Sequence, residues 1–307
     1  MKIFVTGGTG FIGSHTVKLL VERNHELMLL IRNSRKNNPK LDLEKQVEFV
    51  YGDLAKIEGW KRHLMRFKPE IMLHMAWEGL PNYGTDMCML NLIHGLKLFV
   101  TAGEAGCKSI VSTGSCWEYA KRRGALTEES LIGASKIVSA VKNSLRLIGE
   151  AVAKEHGMNF YWLRLFFVYG PGQRNTSLIP TIINSIRSGI KPQIRNPANR
   201  NDFVFVADVA EAIAFLIEKR PAGIVYNLGS GYSTRVSDII SLVYDAMGCE
   251  KHWTDDSSIK SDDDYENFWA DITAIRNDVG WSPKYSLAEG IKASIEYYAN
   301  QAKQVEK

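Results

Sequence analysis

The run Thr6-Gly7-Gly8-Thr9-Gly10-Phe11-Ile12-Gly13 places four glycines in eight positions, between the short apolar run Lys2 to Val5 and an apolar-periodic run from Phe11 to Val21. The first run reads as a strand and the second as a helix. Glycines at such a junction let the backbone turn sharply and approach a ligand closely. The free N–H groups and positive dipole end of the helix favour a diphosphate. Strand, glycine turn and helix in that order point to dinucleotide binding.

Two further sites bear on the dinucleotide. A carboxylate about 20 positions past the glycines binds adenosine ribose hydroxyls, whereas arginine there suits a 2′-phosphate. This chain carries Arg32-Asn33-Ser34-Arg35 and no carboxylate, which favours NADP over NAD; the alternative is a solvated basic loop. Asp53-Leu54 follows a third apolar run, where the carboxylate could take a hydrogen bond from the adenine amino group or cap the next helix. His74 lies inside the apolar run Glu70 to Ala76 and reads as a core residue. Cys88, Cys107, Cys116 and Cys249 show neither CxxC nor metal-ligand spacing, so neither a zinc site nor a disulfide framework is expected, and a reducing compartment fits.

These residues need a scaffold. Short strands are expected at Lys2 to Val5, Glu26 to Arg32, Val47 to Gly52, Glu70 to Ala76, Lys108 to Thr113 and Asn159 to Phe166. Helices are expected at Asn82 to Gly106 and Ser139 to His156. Strands alternating with helices predict an α/β, doubly wound parallel sheet of Rossmann type, with ligands at the carboxyl ends of the strands. Those ends carry Gly7, Arg32, Asp53, Ala76 and Gly114. Residues 1–165 are expected to form the dinucleotide-binding domain, with later strands from about 203 to 228 interleaved. Residues 166–307 would form mainly a smaller substrate-binding region, closed by a helix from about Leu287 to Ala299.

The 307 residues carry 38 Lys+Arg against 34 Asp+Glu, a net charge of +4 that is mild for a chain of this size. The short clusters Arg32 to Lys40 and Lys121 to Arg123 read as solvated loops rather than nucleic-acid surfaces, so small anionic molecules are the expected partners. No apolar run approaches the ~20 residues of a membrane span, and the first strand begins too near Met1 for a cleavable signal, which predicts a cytoplasmic protein.

The chain resembles the extended short-chain dehydrogenase/reductase family of nucleotide-sugar epimerases, dehydratases and reductases. The resemblance rests on the glycine turn, Gly52-Asp53-Leu54, Leu163-Arg164-Leu165 followed by Tyr169-Gly170-Pro171-Gly172, and Asp202-Phe203 with Val206-Ala207-Asp208-Val209-Ala210. It extends to Tyr226-Asn227-Leu228-Gly229-Ser230-Gly231 and Gly280-Trp281-Ser282-Pro283. The resemblance implies that Gly7, Thr9, Gly10, Phe11, Ile12 and Gly13 cradle the cofactor diphosphate, that Asp53 and Leu54 hold the adenine, and that Ala76 borders the cofactor. It also implies that Ser115, in Ser112-Thr113-Gly114-Ser115-Cys116-Trp117-Glu118-Tyr119, hydrogen-bonds the reacting sugar oxygen.

One departure is pronounced. The family places a tyrosine four residues before a lysine that anchors the nicotinamide ribose and lowers the phenol pKa. No tyrosine lies between Tyr119 and Tyr161. With Lys136 as the motif lysine, Ile132 stands at the tyrosine position; with Lys142, which the spacing to Gly157 and Arg164 favours, Val138 does. Cys116, Glu118, Tyr119 and Tyr83 are the candidate replacements for the lost acid/base. The family's dehydratases carry an acidic pair directly after the loop hydroxyl, where this chain has Cys116-Trp117, so dehydration is disfavoured. The resemblance further implies Asn91 in the sugar pocket and an arginine on the substrate diphosphate. Arg200 is offset by one from that position, which Asn201 occupies, leaving Arg235 or Arg276 as substitutes. The expectation is an NADP-dependent oxidoreductase, most simply a ketoreductase, acting on a nucleotide-linked sugar. The alternatives are an epimerase with retained cofactor and a binder that has lost turnover. The resemblance also implies a homodimer through Asn82 to Gly106 and Ser139 to His156.

Overall fold

The computed structural model describes residues 1–32, 47–81, 83–250 and 266–305. The N-terminal half contains β1 (Lys2–Thr6), α1 (Phe11–Glu22), β2 (Glu26–Ile31), β3 (Val47–Tyr51), α2 (Lys61–Phe67), β4 (Ile71–His74) and α3 (Thr85–Glu104). It continues through β5 (Ser109–Thr113), β6 (Arg123–Leu126), α4 (Ile137–Glu155) and β7 (Asn159–Leu165). After these come β8 (Phe167–Tyr169), α5 (Leu178–Arg187), β9 (Arg200–Asn201), β10 (Phe203–Phe205), α6 (Val206–Lys219) and β11 (Val225–Leu228). The chain ends with β12 (Thr234–Arg235), α7 (Val236–Met247), β13 (Asn267–Ala270), α8 (Thr273–Val279) and α9 (Leu287–Val305).

Seven strands form one parallel sheet in the order β11-β7-β5-β4-β1-β2-β3. The strands are short and mostly apolar, and all but the edge strand β3 are largely buried, as a sheet covered on both faces requires. Successive side chains alternate between two cores. Ile3, Val5, Leu29 and Val111 pack with Val17 and Leu20 of α1 and Val209 and Ile213 of α6. Phe4, Met28, Met72 and Ile110 pack on the opposite face with Phe99 of α3, Leu145 of α4 and the buried Trp60. The strand order reverses between β1 and β4, so a crevice opens at their carboxyl ends, where doubly wound sheets bind ligands.

A third core joins α5, α7 and α9 through Ile182, Ile183, Ile239, Ile240 and Ile291. Between residues 203 and 228, only Val225–Leu228 enters the main sheet; Phe203–Phe205 pairs instead with Phe167–Tyr169. A four-stranded sheet, β12-β9-β13-β6, joins pieces of chain from both halves. Among the described residues no helix is long and apolar enough to cross a membrane, and no His/Cys/Asp/Glu group could hold a metal ion.

Candidate active site

The glycine turn is built to bring backbones together. Gly7 has φ +77°, and a Cβ there would lie 2.6 Å from the Ala76 nitrogen at the end of β4. A Cβ on Gly13 would overlap the Gly7 carbonyl oxygen, so α1 packs directly onto the turn. Gly10 caps α1 without any side-chain hydrogen bond. The first-turn N–H groups of a twelve-residue helix therefore have no side-chain cap among the described residues, which is the donor set a dinucleotide diphosphate fits. The imidazole Nε2 of His15 lies 2.9 Å from the Pro171 carbonyl oxygen and ties α1 to the turn after β8. Thr9 and Gly10 are exposed at the rim, while Phe11 and Ile12 are half-buried.

Arg32 is exposed at the end of β2, and its guanidinium lies 3.3 Å from the Glu78 carboxylate beyond β4. Arg35 lies outside the described residues. The Asp53 carboxylate accepts a 2.7 Å hydrogen bond from the Ala55 N–H and so caps the turn Leu54–Gly59; Trp60 donates to the Asp53 carbonyl oxygen. Asn91 is buried in α3. Its amide accepts from the Glu78 N–H and donates to the Glu78 and Met87 carbonyls, so both its polar atoms hold the loop after β4.

The loop after β5 is held by a buried network. The Ser115 hydroxyl oxygen accepts from the Trp117 N–H, while Glu118 accepts from the Ser115 N–H at 2.7 Å, a reciprocal capping box. Glu118 has no exposed surface and also accepts from the Trp162 indole and from Arg164 Nε, both at 3.0 Å. Arg164 donates in addition to the Tyr119 hydroxyl, which itself donates to Asn227 at 2.6 Å. Glu118 is therefore a structural counter-ion, and burial pushes the Tyr119 phenol up to about 12. Burial likewise drives the Cys116 thiol well above its ordinary value. His74 is buried with Nδ1 2.7 Å from the Thr6 hydroxyl; desolvation, with the Lys142 charge second, takes its imidazole down to about 3. Tyr83 is the exposed member of the candidate set.

The two lysines have different surroundings. Lys136 caps α4 from the exposed side, with its ammonium over the Trp117 ring at 3.8 Å. Lys142 is inside α4 and buried. Its Nζ donates to the Thr113 carbonyl at 2.6 Å and stands 4.1 Å from the Trp77 ring and 5.7 Å from the Trp162 ring. Burial lowers its pKa to about 8, with Glu118 pulling in the opposite direction. Val138 shares the helix face of Lys142 one turn earlier, whereas Ile132 forms an isolated bridge with Tyr119 outside the helix. Trp77, which the motifs did not single out, has its indole Nε1 buried without a partner among the described residues. Its only sequence signal is an aromatic immediately after the strand-end Ala76.

Two cavities lie in the C-terminal half, away from Lys142. One, of about 320 Å³, is bordered by Thr176, Leu178, Asn199 and Asn201. Asn201 is buried, and among the described residues its Oδ1 has no partner, nor has Nε of Arg235, across the strand pair from Arg200. The other, of about 360 Å³, includes Arg276 and Lys284. Asp202 braces the wall between them. It accepts from the Ser230 and Gly231 N–H groups, the Ser230 hydroxyl and the Ala270 N–H.

The chain is 26% identical to mouse dTDP-D-glucose 4,6-dehydratase, over 97% of this chain and 88% of that one. It is 24% identical to the UDP-glucose 4-epimerase of Mycolicibacterium smegmatis, over 98% and 100%. Among solved structures, the Thermotoga maritima UDP-glucose 4-epimerase superposes with a TM-score of 0.85 at 24% identity, covering 98% of this chain and all of that one. A Bacillus cereus UDP-glucuronic acid 4-epimerase in complex with NAD gives 0.85 at 22% identity, over 99% and 98%. These likenesses carry the Rossmann-type fold. Family membership follows from the sequence match over residues 3–229: the chain belongs to the NAD dependent epimerase/dehydratase family.

Proposed function

We propose that the protein is an NADP-dependent oxidoreductase that reduces a keto sugar carried on a nucleoside diphosphate. The observation that carries the reading is Lys142, buried at the carboxyl end of β5 in the same crevice as the uncapped N-terminus of α1. When bound, a nicotinamide dinucleotide supplies the hydride. The chain's own residues do the rest: the glycine turn and α1 hold the diphosphate, Ser115 orients the sugar oxygen with a hydrogen bond from its hydroxyl while keeping its proton, and Trp77 and Trp162 shield Lys142 from water. Arg32 supports a 2′-phosphate, which would compete with Glu78 for the guanidinium. The two relatives are named for dTDP-D-glucose and UDP-glucose, and the cavity of about 320 Å³ beside Asn201 has the size and polar lining for a nucleoside.

A second reading, a binder without turnover, is favoured by one observation. Val138 carries no proton, and Glu118, Tyr119 and Cys116 are all committed or buried. The test mixes purified protein with NADPH or NADH and a panel of native and keto nucleotide sugars, following absorbance at 340 nm and product mass. Oxidation of NADPH supports the reductase. Isomerised product without net oxidation replaces it with an epimerase. Binding without either leaves the non-catalytic reading.

We also infer a homodimer. Met89, Leu90, Ile93 and Val100 on α3 and Leu147 and Ile148 on α4 are between 39% and 53% exposed. They form an apolar outward surface on two adjacent long helices, of the kind that isologous pairs of helices bury.

A further inference from the structure

The tyrosine position one turn before Lys142 is aliphatic, so the proton for the reacting oxygen must come from another group. Four titratable groups beside the lysine are already committed. Glu118, from the loop after β5, is fully buried and bonded to Ser115, Trp162 and Arg164. Tyr119 is buried between Asn227 and Arg164. His74, on β4, is buried against Thr6, and Cys88, on α3, is a fully buried thiol whose ionisation burial disfavours. Lys142 differs from all of them. Its ammonium has three N–H donors, one of which goes to the Thr113 carbonyl. The ammonium stands over the face of the Trp77 ring, whose indole N–H is buried and has no partner among the described residues. The ammonium N–H groups that Thr113 does not use, in a pocket walled by Trp77 and Trp162, match an oxygen atom arriving from outside.

We propose that Lys142 is itself the proton donor of the reduction. This rests on the reductase reading above. As the carbonyl carbon takes hydride from the reduced nicotinamide, the C=O π bond breaks. An O–H bond forms on the sugar as one N–H bond of Lys142 Nζ breaks, leaving a neutral amine that regains its proton from solvent after the product has left and water reaches the pocket. The charged and titratable neighbours named above set when the amine can do this. Burial weakens its hold on the proton, and the Glu118 carboxylate opposes that effect.

The test compares wild type, Lys142→Arg and Lys142→Met in three measurements. Turnover is followed against pH, dinucleotide affinity by calorimetry, and lysine ionisation by NMR on protein with ¹³C-labelled lysine side chains. Because the ammonium is the reactive form, wild-type kcat should fall as pH rises through a limb near 8, and one lysine resonance absent from Lys142→Met should titrate with the same midpoint. Lys142→Arg keeps a cation that does not release its proton. It should lose at least about 100-fold in kcat and the alkaline limb, with dinucleotide affinity changed by less than about tenfold. If Lys142→Arg keeps kcat and the limb, or loses only cofactor affinity, Lys142 is an anchor alone and the proposal fails while the reductase reading stands. If the arginine variant does not fold, the wild type decides: a rate limb and a lysine midpoint more than one pH unit apart overturn the proposal. A wild type that turns over no keto sugar removes the reading and the proposal together.

Discussion

Replacing Lys142 with methionine gives a pH-dependent stability change that tests the burial of its charge without any substrate. The lysine falls from an ordinary 10.5 to about 8 in the folded protein. At 1.36 kcal/mol per pH unit, the folded state penalises the ammonium by roughly 3 kcal/mol. Because the folded pKa lies below the unfolded one, the penalty is fully present below pH 8. Between 8 and 10.5 the unfolded chain binds more protons, so the wild type gains stability with rising pH. Methionine has nearly the same length and no charge, and so escapes the penalty. It forfeits the bond to the Thr113 carbonyl, about 1 kcal/mol, while the contact with Trp77 acts on the ammonium alone and is already inside the net penalty. Urea unfolding of both proteins at pH 7 and 10.5 should therefore show the variant about 2 kcal/mol more stable at neutrality. At pH 10.5, where the folded lysine is neutral, it should be about 1 kcal/mol less stable. A difference between the two proteins that stays constant across this range would refute a buried, charge-strained lysine.

Other substitutions probe the remaining parts. Gly13→Ala forces a Cβ onto the Gly7 carbonyl, so dinucleotide affinity by fluorescence titration should fall at least about tenfold; unchanged affinity would mean that α1 can shift away from the turn. Glu118→Ala leaves Arg164 buried without its carboxylate and should cost about 3–5 kcal/mol in urea unfolding; a loss under 1 kcal/mol would show the pair to be dispensable. Arg32→Ala should raise the NADPH KM several-fold and leave the NADH KM within twofold, whereas an equal effect on both would remove the 2′-phosphate reading. Ile93→Glu with Ile148→Glu should convert a dimer to monomers in sedimentation, and a wild type already monomeric would exclude that surface as an interface.

The sheet was readable because β1, β2 and β4 are almost wholly apolar runs and β3, β5 and β7 mainly so, as parallel strands buried on both faces need. Arg123–Leu126 and Asn267–Ala270 were not. They are four residues each, partly exposed, and owe their strand conformation to pairing with each other across more than a hundred residues. Local pattern also says little about side chains with distant partners. Glu118 is a plausible acid in the sequence, but the donors that commit it, Trp162 and Arg164, lie on β7. The two lysines are separated only by where α4 begins. A start at Ile137 leaves Lys136 as an exposed cap and turns Lys142 inward, and apolar periodicity locates helix ends poorly.

The edge strand β11 has a consequence for how the chain must be made. It is the last strand to join the sheet in sequence, yet its backbone pairs with β7, and Asn227 within it binds Tyr119 and the Leu126 carbonyl. During synthesis the first 165 residues leave the ribosome with the β7 edge open and the Tyr119 hydroxyl without its acceptor. They stay so until more than sixty further residues have been added. An N-terminal fragment ending at residue 165 should therefore be sticky rather than autonomous, since an open strand edge recruits other chains. The dinucleotide half becomes a finished unit only after the ribosome has passed Leu228.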